Sequence, residues 1–266
     1  MQTLNIIFVS YNGAQDTINC INSLINGNTN YFNLQIIIVD NNSNDVEQLQ
    51  EYITKEKFAN FIHLIKNAKN LGFAAANNIG INYLKENNAF NGYLWFLNND
   101  TLISSNLLEL MSLNLPNENE VEYFEMHDFE DKYFNNGLNY ISLTTGKYSE
   151  TPKNNYVPYI CGASIFLKCS EKVPMWNEIF FLYYEDVDFS FQLKHRGFNF
   201  RQINNSNYKH KISASSKQKT GINLIKAESQ KKFMKLYGKN YLIYCFLKLF
   251  YLLLKFRFAE IKILFK

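Results

Sequence analysis

Ile36-Ile37-Ile38-Val39-Asp40-Asn41-Asn42-Ser43 sets four β-branched apolar residues in front of an acid, two amides and a hydroxyl. A run that is apolar at every position fits a strand covered on both faces, as in a parallel sheet, rather than one with a wet face. The polar cluster behind it is good turn and helix-cap chemistry. It also leaves a carboxylate at a strand end, where a base or ribose could donate to it. Outward from this stretch the pattern repeats. Residues 4–9, 61–65 and Tyr93–Leu97 read as further strands, with Ala14–Ile25, 46–57 and Phe73–Glu86 as helices between them. Strand and helix in alternation predict an α/β fold with a mostly parallel, Rossmann-like central sheet flanked by helices. Ligands of such sheets bind beyond the carboxyl ends of the strands. Those ends read Ser10-Tyr11-Asn12, Asp40 to Ser43 and Asn98-Asn99-Asp100-Thr101, so three polar clusters converge on one edge.

A chain of 266 residues is long enough for one large α/β domain, or one domain with an appendage. A net charge of +3 gives no electrostatic case for nucleic acid as the principal partner. Cys20, Cys161, Cys169 and Cys245 show neither zinc nor C-x-x-C spacing and read as free thiols of a reducing compartment. The amino terminus reads as a first strand and not an export signal, so a cytoplasmic location is expected. Gly13, Gly72 and Gly80 form no phosphate-cradling motif, which weighs against dehydrogenases and P-loop NTPases and leaves metal and amides to neutralise any phosphate. From residue 116 to 158 the alternation breaks. Glu118, Glu120, Glu122, Glu125, Asp128, Glu130 and Asp131 predict a solvated acidic loop, with gating of a second substrate as a further role. Short strands are expected near 140–143 and 165–168.

Phe180-Phe181-Leu182-Tyr183-Tyr184-Glu185-Asp186-Val187-Asp188 puts three carboxylates in four residues behind an apolar run. Basic residues at 194–196 and Gly197 complete the pattern of a helix with an acidic first turn and a basic last turn. Two readings stand: a dipole-matched helix start with no further role, or a carboxylate whose burial raises its pKa and makes it a proton acceptor. The free N–H groups of the first turn act in the opposite sense, lowering it. Asp100 could hold a hard cation only together with a diphosphate, and otherwise caps a helix at 104–113. His210, in Lys209-His210-Lys211, reads as a metal or phosphate contact or as a surface histidine.

Residues 241–266 differ in kind. Lys248, Lys255 and Lys262 recur every seventh position among Leu, Phe, Tyr and Ile, with Arg257 and Lys266 adding to the basic side. The longest uncharged run is far short of the roughly 20 residues of a membrane span. The expectation is an amphipathic helix lying in an anionic membrane surface, its lysines at the headgroups; a helix packed on the domain is the alternative.

Taken in order, Val9-Ser10-Tyr11-Asn12, Ile38 to Ser43, Asn70-Leu71-Gly72-Phe73-Ala74-Ala75-Ala76-Asn77, Leu97-Asn98-Asn99-Asp100, Cys161-Gly162-Ala163, the 180–198 stretch and His210 resemble glycosyltransferase family 2, the inverting GT-A transferases, in their rhamnosyltransferase-like bacterial branch. The resemblance spans residues 4–216. It implies a nucleotide-sugar donor, a saccharide or lipid-linked saccharide acceptor, and Mg2+ or Mn2+. Ser10, Tyr11, Asn12, Asp40 and Asn42 would then contact the nucleoside, and Asn70, Gly72 and Asn77 would line the donor pocket. Asn98 and Asn99 would face the donor, and Asp100 would touch metal and diphosphate with His210 as a further contact. Asn98 stands where many relatives carry an acid, which implies weak metal binding before donor arrives. Asp186 would be the general base, with Glu185 as runner-up. The implied division is a GT-A domain over residues 1–238, with a donor half at 1–115 and an acceptor half at 116–238, followed by a membrane-associating helix at 239–266. Surface-polysaccharide or lipooligosaccharide synthesis at the inner face of the cytoplasmic membrane would follow. A nucleotidyltransferase would want basic residues after the first strand, a glycoside hydrolase would need no metal, and an inactive sugar-binding protein would turn over no donor.

Overall fold

The computed structural model describes residues 1–26, 29–56, 58–130, 132–135, 137–211, 219–255 and 257–265. Lys57, Asp131, Ser216 and Lys266, which entered the readings above, lie outside the described residues. The first half runs β1 (Gln2–Ser10), α1 (Ala14–Ile25), β2 (Phe32–Asp40), α2 (Val46–Lys55), β3 (Ile62–Lys66), α3 (Phe73–Glu86), β4 (Tyr93–Leu97), β5 (Thr101–Ile103) and α4 (Leu107–Leu113). The second runs β6 (Glu120–His127), β7 (Tyr133–Asn135), β8 (Leu138–Ser142), β9 (Tyr148–Ser149), β10 (Tyr156–Ile160), β11 (Ser164–Lys168), α5 (Glu185–His195), β12 (Asn199–His210), α6 (Lys219–Tyr237), α7 (Tyr241–Leu254) and α8 (Phe258–Leu264).

The central sheet has the order β3-β2-β1-β4-β11-β6-β12-β5, with β7 added on β6, and β10-β8-β9 form a small separate sheet. The β3-β2-β1-β4 pairings and β6-β12 are parallel, while β11 is antiparallel to both its neighbours. So β3, β2, β1, β4, β6 and β12 share one direction, against β11, β5 and β7. The continuous apolar runs are explained by burial on both faces. Ile36 and Ile38 join Ile6, Phe8 and Trp95 in one core cluster under α1 and α2; Ile37 and Val39 join Ile7, Leu94 and Phe96 in the other, under α3 and α5. The register pairs Ser10 with Asp40 and Asp40 with Lys66, which brings the strand ends level and forms the polar edge.

Two expectations are corrected. The acidic stretch from 116 onward is not one solvated loop: Glu120–His127 is an interior strand between β11 and β12, and Glu118 and Glu130 stay exposed outside it. Val121 and Tyr123 fill one core face and Phe124 and Met126 the other. Glu122, fully buried, is admitted because Arg201 on the neighbouring strand ion-pairs with it and also reaches Glu120. The carboxy-terminal segment is not one helix but two, α7 ending at Leu254 and α8 starting at Phe258, and α8 packs against α6 and α7. Lys248 is turned inward, its Nζ donating to Gln230 Oε1 at 2.6 Å, so it is not a headgroup lysine. Tyr244, Leu252 and Leu264 are buried, the first and last beside Phe233 and Met234 of α6. The outer side of α7 is nevertheless apolar, with Leu242, Phe246, Phe250 and Leu254 exposed at 79%, 71%, 60% and 61%.

Candidate active site

Hydrogen bonds knit the sheet edge. Asn41 N–H donates to Ser10 O at 2.8 Å, Asn12 N–H to Ser43 Oγ at 2.9 Å and Asn44 N–H to Asn12 Oδ1 at 2.9 Å. Asp40 is 1% exposed; its Oδ2 accepts from Ser43 N–H at 2.9 Å, while Oδ1 has no hydrogen-bond partner among the described residues. A buried carboxylate oxygen left open at a strand end is a place for an incoming donor group. Tyr11 and Asn42 are exposed on this edge, Asn42 in the left-handed region at φ 64°. Asn99 Nδ2 donates to Thr17 Oγ1 at 2.8 Å, joining the third cluster to α1.

The loop before α3 has a different task. Asn70 Oδ1 accepts from Gly72 N–H at 2.9 Å, and Asn77 is buried with its amide on the Phe73 carbonyl one turn back. Gly72, at φ 87°, lets the backbone of Phe181 approach: a Cβ there would lie 2.4 Å from Phe181 O, which instead accepts from Phe73 N–H at 2.9 Å. This loop therefore fastens α3 to the segment that presents the acidic helix. Tyr183 and Tyr184 follow, both left-handed at φ 68° and 69°. Non-glycine residues hold that conformation only where surroundings enforce it. Ser229 Oγ donates to Leu182 O at 2.8 Å and Tyr184 Oη to Gly146 O at 2.7 Å. Below, Phe189 stacks on Trp176 at 4.1 Å, fixing α5 on the sheet.

On this support Asp186 is half-buried, its carboxylate accepting from Gly162 N–H at 3.2 Å and Val187 N–H at 2.9 Å. Burial pushes its pKa up to about 6, against those N–H groups and Lys226, which pull it down. Glu185 is buried with one oxygen unpartnered among the described residues, and burial followed by the Asp186 charge drives its pKa well upward. Asp188 is structural: it is fully buried and accepts from Asn177, Gln192 and Tyr237. Asp186, Glu185 and His210 line one cavity of about 300 Å³. His210 links it to the sheet edge, since its Nε2 lies 3.1 Å from Asp100 Oδ1 and 3.2 Å from Asn98 Nδ2.

Asp100 Oδ1 is buried and makes no hydrogen bond, although a ring nitrogen stands beside it. An oxygen and an imidazole nitrogen set side by side fit a divalent cation whose shell is completed by water and phosphate oxygens. No group of three or more His, Cys, Asp or Glu gathers as a metal site among the described residues.

Reasoning from sequence missed three residues here. Asn41 accepts from Asn67 at 2.9 Å and donates to Gly72 O at 3.1 Å, tying β2 to the α3 loop. Gly162 supplies an N–H to Asp186, and a Cβ on it would sit 2.9 Å from Asp186 Cβ. Both lay inside quoted motifs without a role. Lys226, on α6, faces Asp186 electrostatically and carried no local signal.

This mixed α/β architecture, a large central sheet flanked by helices, is that of the GT-A glycosyltransferases. Similar folds are the mannosyltransferase PcManGT from Pyrobaculum calidifontis in complex with GDP-Man and Mn2+ (TM-score 0.63, 12% identity, 90% of this chain and 65% of that one) and GalNAc-T7 with UDP, GalNAc and Mn2+ (TM-score 0.64, 14% identity, 79% and 43%). The profile of Glycosyl transferase family 2 matches residues 5–171, and the chain belongs to that family. It is 28% identical over 203 residues to the dTDP-rhamnosyl transferase RfbF of Shigella flexneri, covering 72% of this chain and 64% of the relative. It is 29% identical over 150 residues to an uncharacterized glycosyltransferase of Rickettsia bellii (strain RML369-C), covering 55% and 19%. The chain thus spans less than two-thirds of the length of either relative.

Proposed function

We propose that the chain is an inverting glycosyltransferase that moves a sugar from a nucleotide-sugar donor to a saccharide or lipid-linked saccharide, in the assembly of a bacterial surface polysaccharide or lipooligosaccharide. The observation that carries the reading is Asp186, a carboxylate with its pKa raised to about 6, in a cavity that His210 joins to the donor edge. Asp40 would receive the nucleoside through its open oxygen, within the Ser10–Asn12 and Asn42 edge. Asp100 and His210 would hold Mg2+ or Mn2+, which when bound supplies positive charge to the leaving diphosphate. Asp186 takes the proton of an acceptor hydroxyl as that oxygen attacks the anomeric carbon from the face opposite the leaving group. Burial and then the Asp186 charge drive the Glu185 pKa well upward, which favours its neutral form and leaves Asp186 the better proton acceptor of the two. Residues 1–115 would then serve the donor and 116–238 the acceptor.

The same reading seats the protein on an anionic membrane surface at the cytoplasmic side through the exposed apolar face of α7, with Lys255 and Lys262 exposed nearby. Among the described residues no helix is long and apolar enough to cross a membrane. A panel of nucleotide sugars with Mn2+, scored by nucleoside diphosphate release and by the anomeric configuration of the product, tests the transfer. A retained anomeric configuration, or no release from any donor, refutes it.

A further inference from the structure

A second cavity, of about 560 Å³, adjoins the catalytic one and shares Tyr148, Tyr184 and Lys226 with it. Its walls come from the turn between β8 and β9 and from α6, α7 and α8. Lys147, Lys226, Lys248 and Arg257 converge there, and Glu260 is the one carboxylate among the described lining residues. Glu260 is buried and already ion-paired with Arg257. Lys147 and Lys248 meet neutral groups instead, and Lys226 divides itself between an aromatic ring and the Asp186 carboxylate. Lys248 Nζ donates to Gln230, Lys147 lies 5.3 Å from the Tyr251 ring centroid and Lys226 lies 4.9 Å from that of Tyr148. Burial lowers the Lys248 pKa, with Arg257, Lys147 and Lys226 adding repulsion against the pull of Glu260.

Cation–aromatic contacts alone would explain lysines scattered over a surface, not their convergence on one cavity. Like charges gathered where water is restricted weaken the fold, and an anion entering the cavity relieves them. The mouth is apolar: Leu247 and Tyr251 of α7 line it and are 43% and 37% exposed, on the same helix side as Phe246 and Phe250.

We propose that this cavity is an acceptor subsite that binds the phosphate or diphosphate of a lipid-linked acceptor. The lipid chain leaves across Leu247 and Tyr251, and the saccharide turns past Tyr148 and Tyr184 to bring its hydroxyl to Asp186. A diphosphate, not a single carboxylate, carries the multiple negative charge that matches Lys147 and Lys248 together with Lys226, whose charge Asp186 shares. This deepens the transferase reading and rests on it.

The test measures binding of geranyl diphosphate, inorganic pyrophosphate and glucuronate to the full chain by calorimetry in EDTA, which removes any metal from Asp100 and His210. Geranyl diphosphate is expected to bind more tightly than pyrophosphate, at least tenfold more weakly in Lys147→Glu and in Lys248→Gln, and without displacement by UDP or GDP. Lys147 is exposed, so its replacement spares packing if Lys248→Gln does not, and circular dichroism checks both folds. Unchanged affinity in Lys147→Glu and Lys248→Gln overturns the subsite, as does displacement of geranyl diphosphate by UDP or GDP, which would place the ligand at the donor edge. Glucuronate binding as tightly as pyrophosphate overturns the phosphoryl assignment. Phosphatidylglycerol vesicles that displace geranyl diphosphate give the cavity to a membrane headgroup and overturn the acceptor role. A wild type that turns over a donor but binds no geranyl diphosphate refutes the subsite alone. One that binds geranyl diphosphate but turns over no donor refutes the transferase reading alone.

Discussion

Replacing Asp186 by Asn separates stability from catalysis in opposite directions. A carboxyl whose folded pKa is raised stabilises the fold while it is protonated; that contribution is complete below its ordinary 3.8 and is lost as pH climbs through about 6. At 1.36 kcal/mol per pH unit the displacement is worth up to about 3 kcal/mol, an upper bound because the half-buried group is partly screened. Asn carries no charge and avoids this loss. It has one acceptor oxygen where the carboxylate offers two, so either Gly162 N–H or Val187 N–H goes unpaired, at about 1 kcal/mol. The variant is therefore expected to be less stable than wild type by about 1 kcal/mol near pH 4 and more stable by up to about 2 kcal/mol near pH 8. Turnover should fall at least about a hundredfold while donor binding persists. Urea unfolding at the two pH values, with nucleoside diphosphate release at pH 8, measures both. A stability difference that does not change with pH refutes the argument for a raised pKa. Near-wild-type turnover refutes the base.

Gly72→Ala forces a Cβ against Phe181 O in a left-handed backbone, and should cost about 1–3 kcal/mol, lowering Tm by several degrees in a thermal melt. Asn98→Asp sets a second carboxylate beside Asp100 and His210; calorimetric Mn2+ affinity without donor should rise at least about tenfold, and no change would remove Asn98 from the metal site. Phe246→Ser with Phe250→Ser strips the outer face of α7 without touching its buried side, so sedimentation with anionic vesicles should drop while Tm holds. Deleting the whole tail is the wrong experiment, because it would uncover Phe233 and Met234.

The parallel half of the sheet was legible because each strand there holds an apolar run and the first three are each followed by a helical pattern; Ala14–Ile25, Phe73–Glu86 and Tyr93–Leu97 fall where the pattern puts them. β6 was not, because its glutamates outweighed the alternation of Val121, Tyr123, Phe124 and Met126. What admits Glu122 is Arg201, which lies 79 residues away. Charge counted along a chain cannot distinguish a wet carboxylate from a paired one. The tail failed for a related reason: a seven-residue lysine repeat gives helix direction, but only the position of Gln230 on another helix decides that Lys248 turns in. In the site, residues within one motif were legible, whereas contacts between segments, such as Gly162 to Asp186, were not.

The two left-handed tyrosines before α5 bear on when the protein becomes competent as it is made. Their conformation is enforced by Gly72 and Phe73 from the early chain, by Gly146 from the small sheet and by Ser229 from α6. If the sheet edge receives the nucleoside as proposed, a nascent chain has that end in place before α6 emerges to seat the segment that carries Asp186. Ser229→Ala in the full chain is thus expected to keep nucleotide binding while slowing consumption of the sugar, and unchanged turnover would refute this.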